Sequence, residues 1–69
     1  MKNRVRELRS EYDLTQDELA EKLDVSRQTI ISLEKGRYNP SITLAYKTSK
    51  VFNCIIEEVF LFGEEEEDE

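Results

Sequence analysis

The sequence feature that most limits the fold is a three-residue break between two strongly signalled helices. The first helix begins at the capping-box pattern TQDE, residues 15–18. The break covers residues 24–26, and Ser26 is a good N-cap for a second helix that starts at Arg27 and stops at Gly36. A connection this short makes the two helices cross steeply instead of lying antiparallel.

The apolar residues of this helix pair predict how the two helices pack. Ala20 is small, so the following helix can approach closely at that point. The side chains expected inside are those of Leu19, Ala20, Leu23, Val25, Ile30 and Leu33. Polar side chains near the front of the second helix then remain on the outside. A protruding helix of this kind fits the width of the DNA major groove.

The rest of the chain predicts further short helices and no sheet. Residues 2–12 place apolar side chains at helical spacing, and Asp13 turns the chain. Ser41 caps a fourth helix, and residues 55–62 (IIEEVFLF) form a short fifth one. The core candidates outside the central pair are Val5, Leu8, Tyr12, Leu44, Ala45, Thr48, Val51, Phe52, Ile56, Val59 and Phe60. The expected fold class is therefore all-α, a compact domain of five helices.

Composition excludes several classes of function. The 69 residues are enough for one small domain and contain one cysteine, Cys54, and no histidine. An intrachain disulfide is impossible, and a structural zinc site has no plausible ligand set. Without histidine or a credible carboxylate pair, we expect no enzyme activity, no cofactor and no metal.

The apolar segments are too short for a membrane protein. The first ten residues, MKNRVRELRS, carry positive charge without an apolar run behind it, which does not fit a secretory signal. The longest apolar run is VFLF at 59–62, far short of a bilayer span. We therefore expect a soluble protein in the cytoplasm.

The formal net charge of −6 is concentrated at one end of the sequence. Residues 64–69 are all acidic, and without them ten acidic residues balance ten basic ones. We therefore expect residues 1–63 to form a neutral domain and residues 64–69 a disordered acidic tail. Around the predicted second helix of the pair, residues 26–37 carry three basic side chains and one acidic one, which favours a local anion-binding surface.

The segment QDELAEKLDVSRQTIISLEKG, residues 16–36, resembles the helix-turn-helix of the phage Cro and repressor type, in the XRE family of regulators. Residues 37–60 resemble the fourth and fifth helices of minimal, lambda-repressor-like members. The resemblance implies a helix-turn-helix at about 16–35, with residues 27–35 as the recognition helix. Asp24 stands where the family usually has Gly or Asn, which predicts a turn that survives at a small cost. Ile55 stands where the last helix often begins with Ser, so that helix loses a cap.

The resemblance also implies which residues contact DNA. Arginine pairs with guanine O6 and N7, glutamine with adenine N6 and N7, and an apolar side chain meets the thymine methyl. The predicted base contacts are Arg27, Gln28, Thr29, Ile31 and Ser32, and the predicted backbone contacts are Gln16, Ser26, Lys35, Arg37 and Asn39. In an arbitrary helical protein, Arg27 and Gln28 on the first turn of a helix are simply solvated residues, and Ile31 is an exposed apolar residue of no consequence. Arg9 and Glu34 match the family's structural ion pair, which joins the helix predicted at residues 2–12 to the recognition helix.

Two expectations concern partners. Family members bind two-fold operators as dimers, with half-sites about 34 Å apart. The apolar C-terminal helix predicts a homodimer patch at Val59, Leu61 and Phe62, unless Leu61 and Phe62 cover the domain's own core. The alternative to a DNA-binding regulator is a protein-interaction module on the same fold, such as an antitoxin or a bridging coactivator.

Overall fold

The computed structural model describes residues 2–61. That part of the chain contains five α-helices and no β-sheet, as the sequence predicts. The helices are α1 (Val5–Glu11), α2 (Gln16–Leu23), α3 (Arg27–Glu34), α4 (Ile42–Val51) and α5 (Ile56–Val59). Phe62 and the predicted disordered tail at 64–69 lie outside the described residues.

One core holds the helices together. Its buried apolar members are Val5, Leu8, Leu19, Ala20, Leu23, Ile30, Leu33, Leu44, Ala45, Phe52, Val59 and Phe60. Thr48 is fully buried as well, and its hydroxyl donates to the Leu44 carbonyl at 2.7 Å, which satisfies the polar group inside α4. Tyr12, predicted as a core residue, is 47% exposed and lies at the edge of the core. Its ring packs edge-on against Phe52, and its hydroxyl donates to the Phe52 carbonyl.

Helices α1 to α4 all end in the same way. After each helix, one residue has a left-handed backbone, namely Asp13, Asp24, Gly36 and Asn53, with φ of 56°, 60°, 78° and 55°. In each case the N–H of the next residue returns to a carbonyl of the last helical turn, as from Val25 to Ala20 at 3.0 Å. This is the Schellman arrangement, which satisfies carbonyls that the helix leaves open.

The two ends of the described chain lie side by side. Arg4 N–H donates to the Val59 carbonyl at 2.7 Å, Leu61 N–H donates to the Lys2 carbonyl at 2.9 Å, and Asn3 forms an antiparallel bridge with Phe60. The prediction that the first helix begins at residue 2 is therefore wrong, and so is the prediction that the fifth helix continues through Phe60. The physical reason is that residues 2–4 pair with the segment after α5 instead of forming a helical turn.

The start of α5 has half of a reciprocal cap. Ile55 N–H donates to the Glu58 carboxylate at 3.2 Å, but Ile55 has no side-chain oxygen to accept a bond in return. The absence of a cap side chain is what the sequence predicts, and α5 is only four residues long. The fifth helix therefore depends on Val59 and on the chain-end pairing to stay in place.

Candidate nucleic-acid interface

The candidate interface is the outer surface of α3. Its start is fixed by Ser26, whose hydroxyl accepts the Thr29 N–H at 3.2 Å. Its end is fixed by Gly36, and its inner face is fixed by Ile30 and Leu33, both fully buried. Asp24 has a left-handed backbone and turns the chain between α2 and α3. The turn therefore accepts aspartate at the position where the family usually has glycine or asparagine.

The predicted base-contacting residues lie on the side of α3 away from the core. Arg27 and Gln28 are exposed, and the other three, Thr29, Ile31 and Ser32, are half-buried. Arg27 is 62% exposed and its Nε lies 3.9 Å from an Asp17 carboxylate oxygen, a weak surface pairing that leaves the guanidinium accessible. The structure thus brings all five predicted base contacts onto one helix, with Arg27 and Gln28 the most accessible.

The hydroxyls of Ser26 and Thr29 are not independent. Their oxygens lie 3.0 Å apart and share one hydrogen bond. Each hydroxyl has one proton, and the shared bond uses only one of the two. The pair therefore has one hydroxyl proton left for an acceptor on DNA, so Ser26 and Thr29 offer one donor between them.

Glu34 joins the three helices around this surface. Its carboxylate accepts Arg9 Nε at 2.7 Å on one oxygen and Gln16 Nε2 at 3.2 Å on the other. Arg9 also donates to the Leu14 carbonyl at 2.8 Å, and the side chains of Arg9 and Glu34 are 17% and 6% exposed. The predicted ion pair is present, and the network fixes α1 and the start of α2 against the recognition helix.

Gln16 has a second role beside its predicted phosphate contact. One N–H of its amide is used by Glu34, which leaves the other for a phosphate oxygen. Of the remaining predicted backbone contacts, Lys35, Arg37 and Asn39 are exposed on the segment that follows α3. These positions suit contacts to the DNA backbone beside the groove.

A cleft of about 540 Å³ separates α1 from the front of α2 and α3. It is lined by Arg6, Arg9, Thr15, Gln16, Asp17, Arg27, Ile31, Glu34 and Lys35. Four of these side chains are basic and two are acidic, so the lining is positive although the whole chain is acidic. Arg6 is the one basic residue of the cleft that sequence analysis did not assign.

Three pKa shifts have clear causes outside the cleft. Arg4 donates to the Glu7 carboxylate at 3.2 and 3.3 Å, and this bonding lowers the pKa of Glu7 and raises that of Arg4. Burial raises the pKa of the Cys54 thiol, with the neighbouring charge of Glu58 adding to the effect. Cys54 is half-buried against the core, which fits a packing role.

The predicted dimer patch is only partly compatible with the structure. Val59 is fully buried in the chain's own core, so its assignment to an exposed patch is wrong. Its side chain belongs to the single apolar core, so it is not available to a second chain. Leu61 is half-buried, and Phe62 lies outside the described residues.

Comparisons with known proteins agree with this geometry. A helix-turn-helix family model matches residues 5–59. An uncharacterized HTH-type transcriptional regulator of Archaeoglobus fulgidus is 56% identical over 66 residues, which cover 96% of this chain and 94% of that protein. The cryptic phage CTXphi transcriptional repressor RstR of Vibrio cholerae is 33% identical over 67 residues, 97% of this chain and 60% of the repressor.

A solved structure has the same fold. The restriction-modification controller protein C.AhdI of Aeromonas hydrophila matches with a TM-score of 0.74 and 30% sequence identity, over 83% of this chain and 86% of that one. The chain therefore belongs to the helix-turn-helix family, of the XRE type that includes phage repressors. Within residues 2–61, no helix is long and apolar enough to cross a membrane.

Proposed function

We propose that this chain binds double-stranded DNA in a sequence-specific way and acts as a small transcriptional regulator, most simply a repressor. The observation that carries the proposal is the exposed front of α3. Arg27 and Gln28 project there from a helix whose other side is locked into the core. Relatives named as transcriptional regulators and phage repressors support the same function.

The assigned roles follow from chemistry. Arg27 pairs with guanine, Gln28 pairs with adenine, and Ile31 meets a thymine methyl. Gln16, Lys35, Arg37 and Asn39 bind backbone phosphates and hold α3 in register. Because Glu34 is neutralised by Arg9 inside the domain, the surface facing DNA is more positive than the sequence total suggests.

We further propose that two copies bind a two-fold operator through a contact at the C-terminal end, with Leu61 and Phe62 at its centre. Leu61 is half-buried at the last described position, where its N–H is bonded to Lys2. Pairing two domains doubles the number of base contacts that one short helix supplies. A DNA target places this function in the compartment that holds the DNA, which is the cytoplasm in archaea and bacteria.

Binding to duplex DNA, measured by fluorescence anisotropy, tests the function, and sedimentation of the complex gives its stoichiometry. We expect salt-sensitive binding with two chains per operator, and one chain per duplex for Leu61→Ser. No binding of duplex DNA at low salt would contradict the proposed function. One chain per operator for the unaltered protein would contradict the dimer alone.

A further inference from the structure

Three arginines lie in helix α1 or at its N-cap, and the structure gives each a different environment. Arg4 bonds Glu7 in an exposed pair and reaches the Glu58 carbonyl at 3.4 Å. Arg9 bonds Glu34 and the Leu14 carbonyl and is largely buried. Arg6 is exposed, and no acidic side chain or carbonyl among residues 2–61 pairs with it. Only Arg6 therefore has its full charge and all its donors available to a ligand.

Arg6 faces the recognition helix across the positive cleft. The lining brings Arg6 of α1 together with Arg27 and Lys35, which lie at the two ends of α3. Lys35 is exposed and has no ion pair within the described residues. Two unpaired cations from different helices thus border one cleft.

The charges of the cleft do not cancel where Arg6 lies. Arg9 and Glu34 neutralise each other at 2.7 Å. Arg27 lies 3.9 Å from Asp17, so the charges of these two side chains also cancel. The net positive charge of the lining therefore comes from Arg6 and Lys35. A planar guanidinium with free N–H groups binds a phosphate with two parallel hydrogen bonds, and an ammonium adds a point charge.

We propose that Arg6 and Lys35 form a phosphate clamp, in which each of the two side chains binds a DNA backbone phosphate at the cleft between α1 and α3. The clamp rests on the proposed DNA-binding function and adds to it a contact from α1. Because Arg9, Glu34 and Gln16 tie α1 to α2 and α3, a phosphate held by Arg6 fixes the position of the recognition helix relative to the backbone. The contact carries no base preference of its own.

The salt dependence of DNA binding tests the clamp, with Arg4→Ala as the matched control. Arg6→Ala and Arg4→Ala remove the same charge two residues apart, one inside α1 and one at its N-cap, but Arg4 is already paired with Glu7. We expect Arg6→Ala to reduce the slope of log K against log salt by about 0.9, the value for one phosphate contact, and to weaken binding about 5- to 10-fold near 0.1 M salt. The loss should be uniform across DNA sequences.

Two further variants complete the test. Arg6→Lys keeps the charge and should retain most of the slope, and Lys35→Ala should reduce it as Arg6→Ala does. Circular dichroism melting checks that each variant is folded, which the exposure of both side chains favours. An Arg6→Ala slope equal to that of the unaltered protein, or equal losses in Arg6→Ala and Arg4→Ala, would overturn the clamp. Failure of the unaltered protein to bind DNA would overturn the proposed function along with it.

Discussion

At the scale of single residues, Glu34 is the side chain on which the interface depends most. Both of its oxygens are used, one by Arg9 and one by Gln16, and its side chain is 6% exposed. Removing it leaves the Arg9 guanidinium largely buried without a counter-charge. Such a loss is more costly than the loss of an exposed pair, because the stranded charge stays out of water.

We therefore expect Glu34→Ala to lower the free energy of unfolding by about 3 kcal/mol, enough to remove much of the stability of a domain this small. Glu7→Ala is the matched control, because the same kind of substitution here deprives an exposed arginine, Arg4, of its partner and should change stability little. Urea unfolding followed by circular dichroism measures both. A stable Glu34→Ala protein with a changed DNA sequence preference would contradict the structural role of this residue.

At the scale of helices, the ends of the elements decide the geometry of the site. Helices α2, α3 and α4 start at hydroxyl caps, Thr15, Ser26 and Ser41, and α1 to α4 stop at left-handed residues. The turn at Asp24 matters most, because it sets the angle at which α3 leaves α2. A β-branched side chain is strained in the left-handed region, whereas glycine and asparagine are accepted.

We expect Asp24→Val to lower the free energy of unfolding by about 1–2 kcal/mol, and Asp24→Gly and Asp24→Asn to stay within about 0.5 kcal/mol of the unaltered protein. Thermal melting distinguishes these cases. If Asp24→Val melted at the same temperature as Asp24→Gly, the claim that the left-handed backbone at residue 24 limits stability would be contradicted.

The sequence predicted α2, α3 and α4 closely because their signals are local. A cap, an apolar spacing and a stop residue all lie within each segment, and the left-handed stop at Gly36 follows from glycine itself. The beginning of α1 and the path at Phe60 were wrong because residues 2–4 and 59–61 pair with each other. That pairing joins the two ends of the chain, and no local pattern encodes it.

The residues of the candidate site likewise divide into those that the local sequence predicts and those that depend on contacts elsewhere in the fold. Arg27 and Gln28 were predictable, because a helix that starts at Ser26 necessarily carries them on its first turn. Arg6 was not, because its availability depends on what Arg4 and Arg9 bind elsewhere in the fold. The burial of Val59 likewise depends on the packing of α5 against α4, which apolar content alone does not reveal.

At the scale of the whole molecule, the distribution of charge explains how an acidic chain can bind DNA. Residues 1–63 are neutral overall, the cleft beside α3 is positive, and the excess of acid lies in residues 64–69. Charges that contact phosphates determine affinity, while distant charges act through a field that salt screens.

Deleting residues 64–69 should therefore tighten non-specific DNA binding at low salt, and the difference should vanish as salt is raised. Replacing the six acids by Gln and Ser is the control for chain length. Anisotropy titrations of both variants with a duplex of arbitrary sequence measure the effect. Equal affinity with and without the acidic residues at every salt concentration would show that they exert no field on the DNA-binding surface.

The central claim is that the front of α3 recognises base pairs, and selection of bound duplexes from a random pool tests it most directly. We expect the unaltered protein to enrich a two-fold motif. Gln28→Ala should enrich the same motif with the preference lost at one adenine in each half-site, at a cost of about 1–3 kcal/mol of discrimination there. Recovery of no motif at low salt, or of one identical motif by both proteins, would contradict the claim.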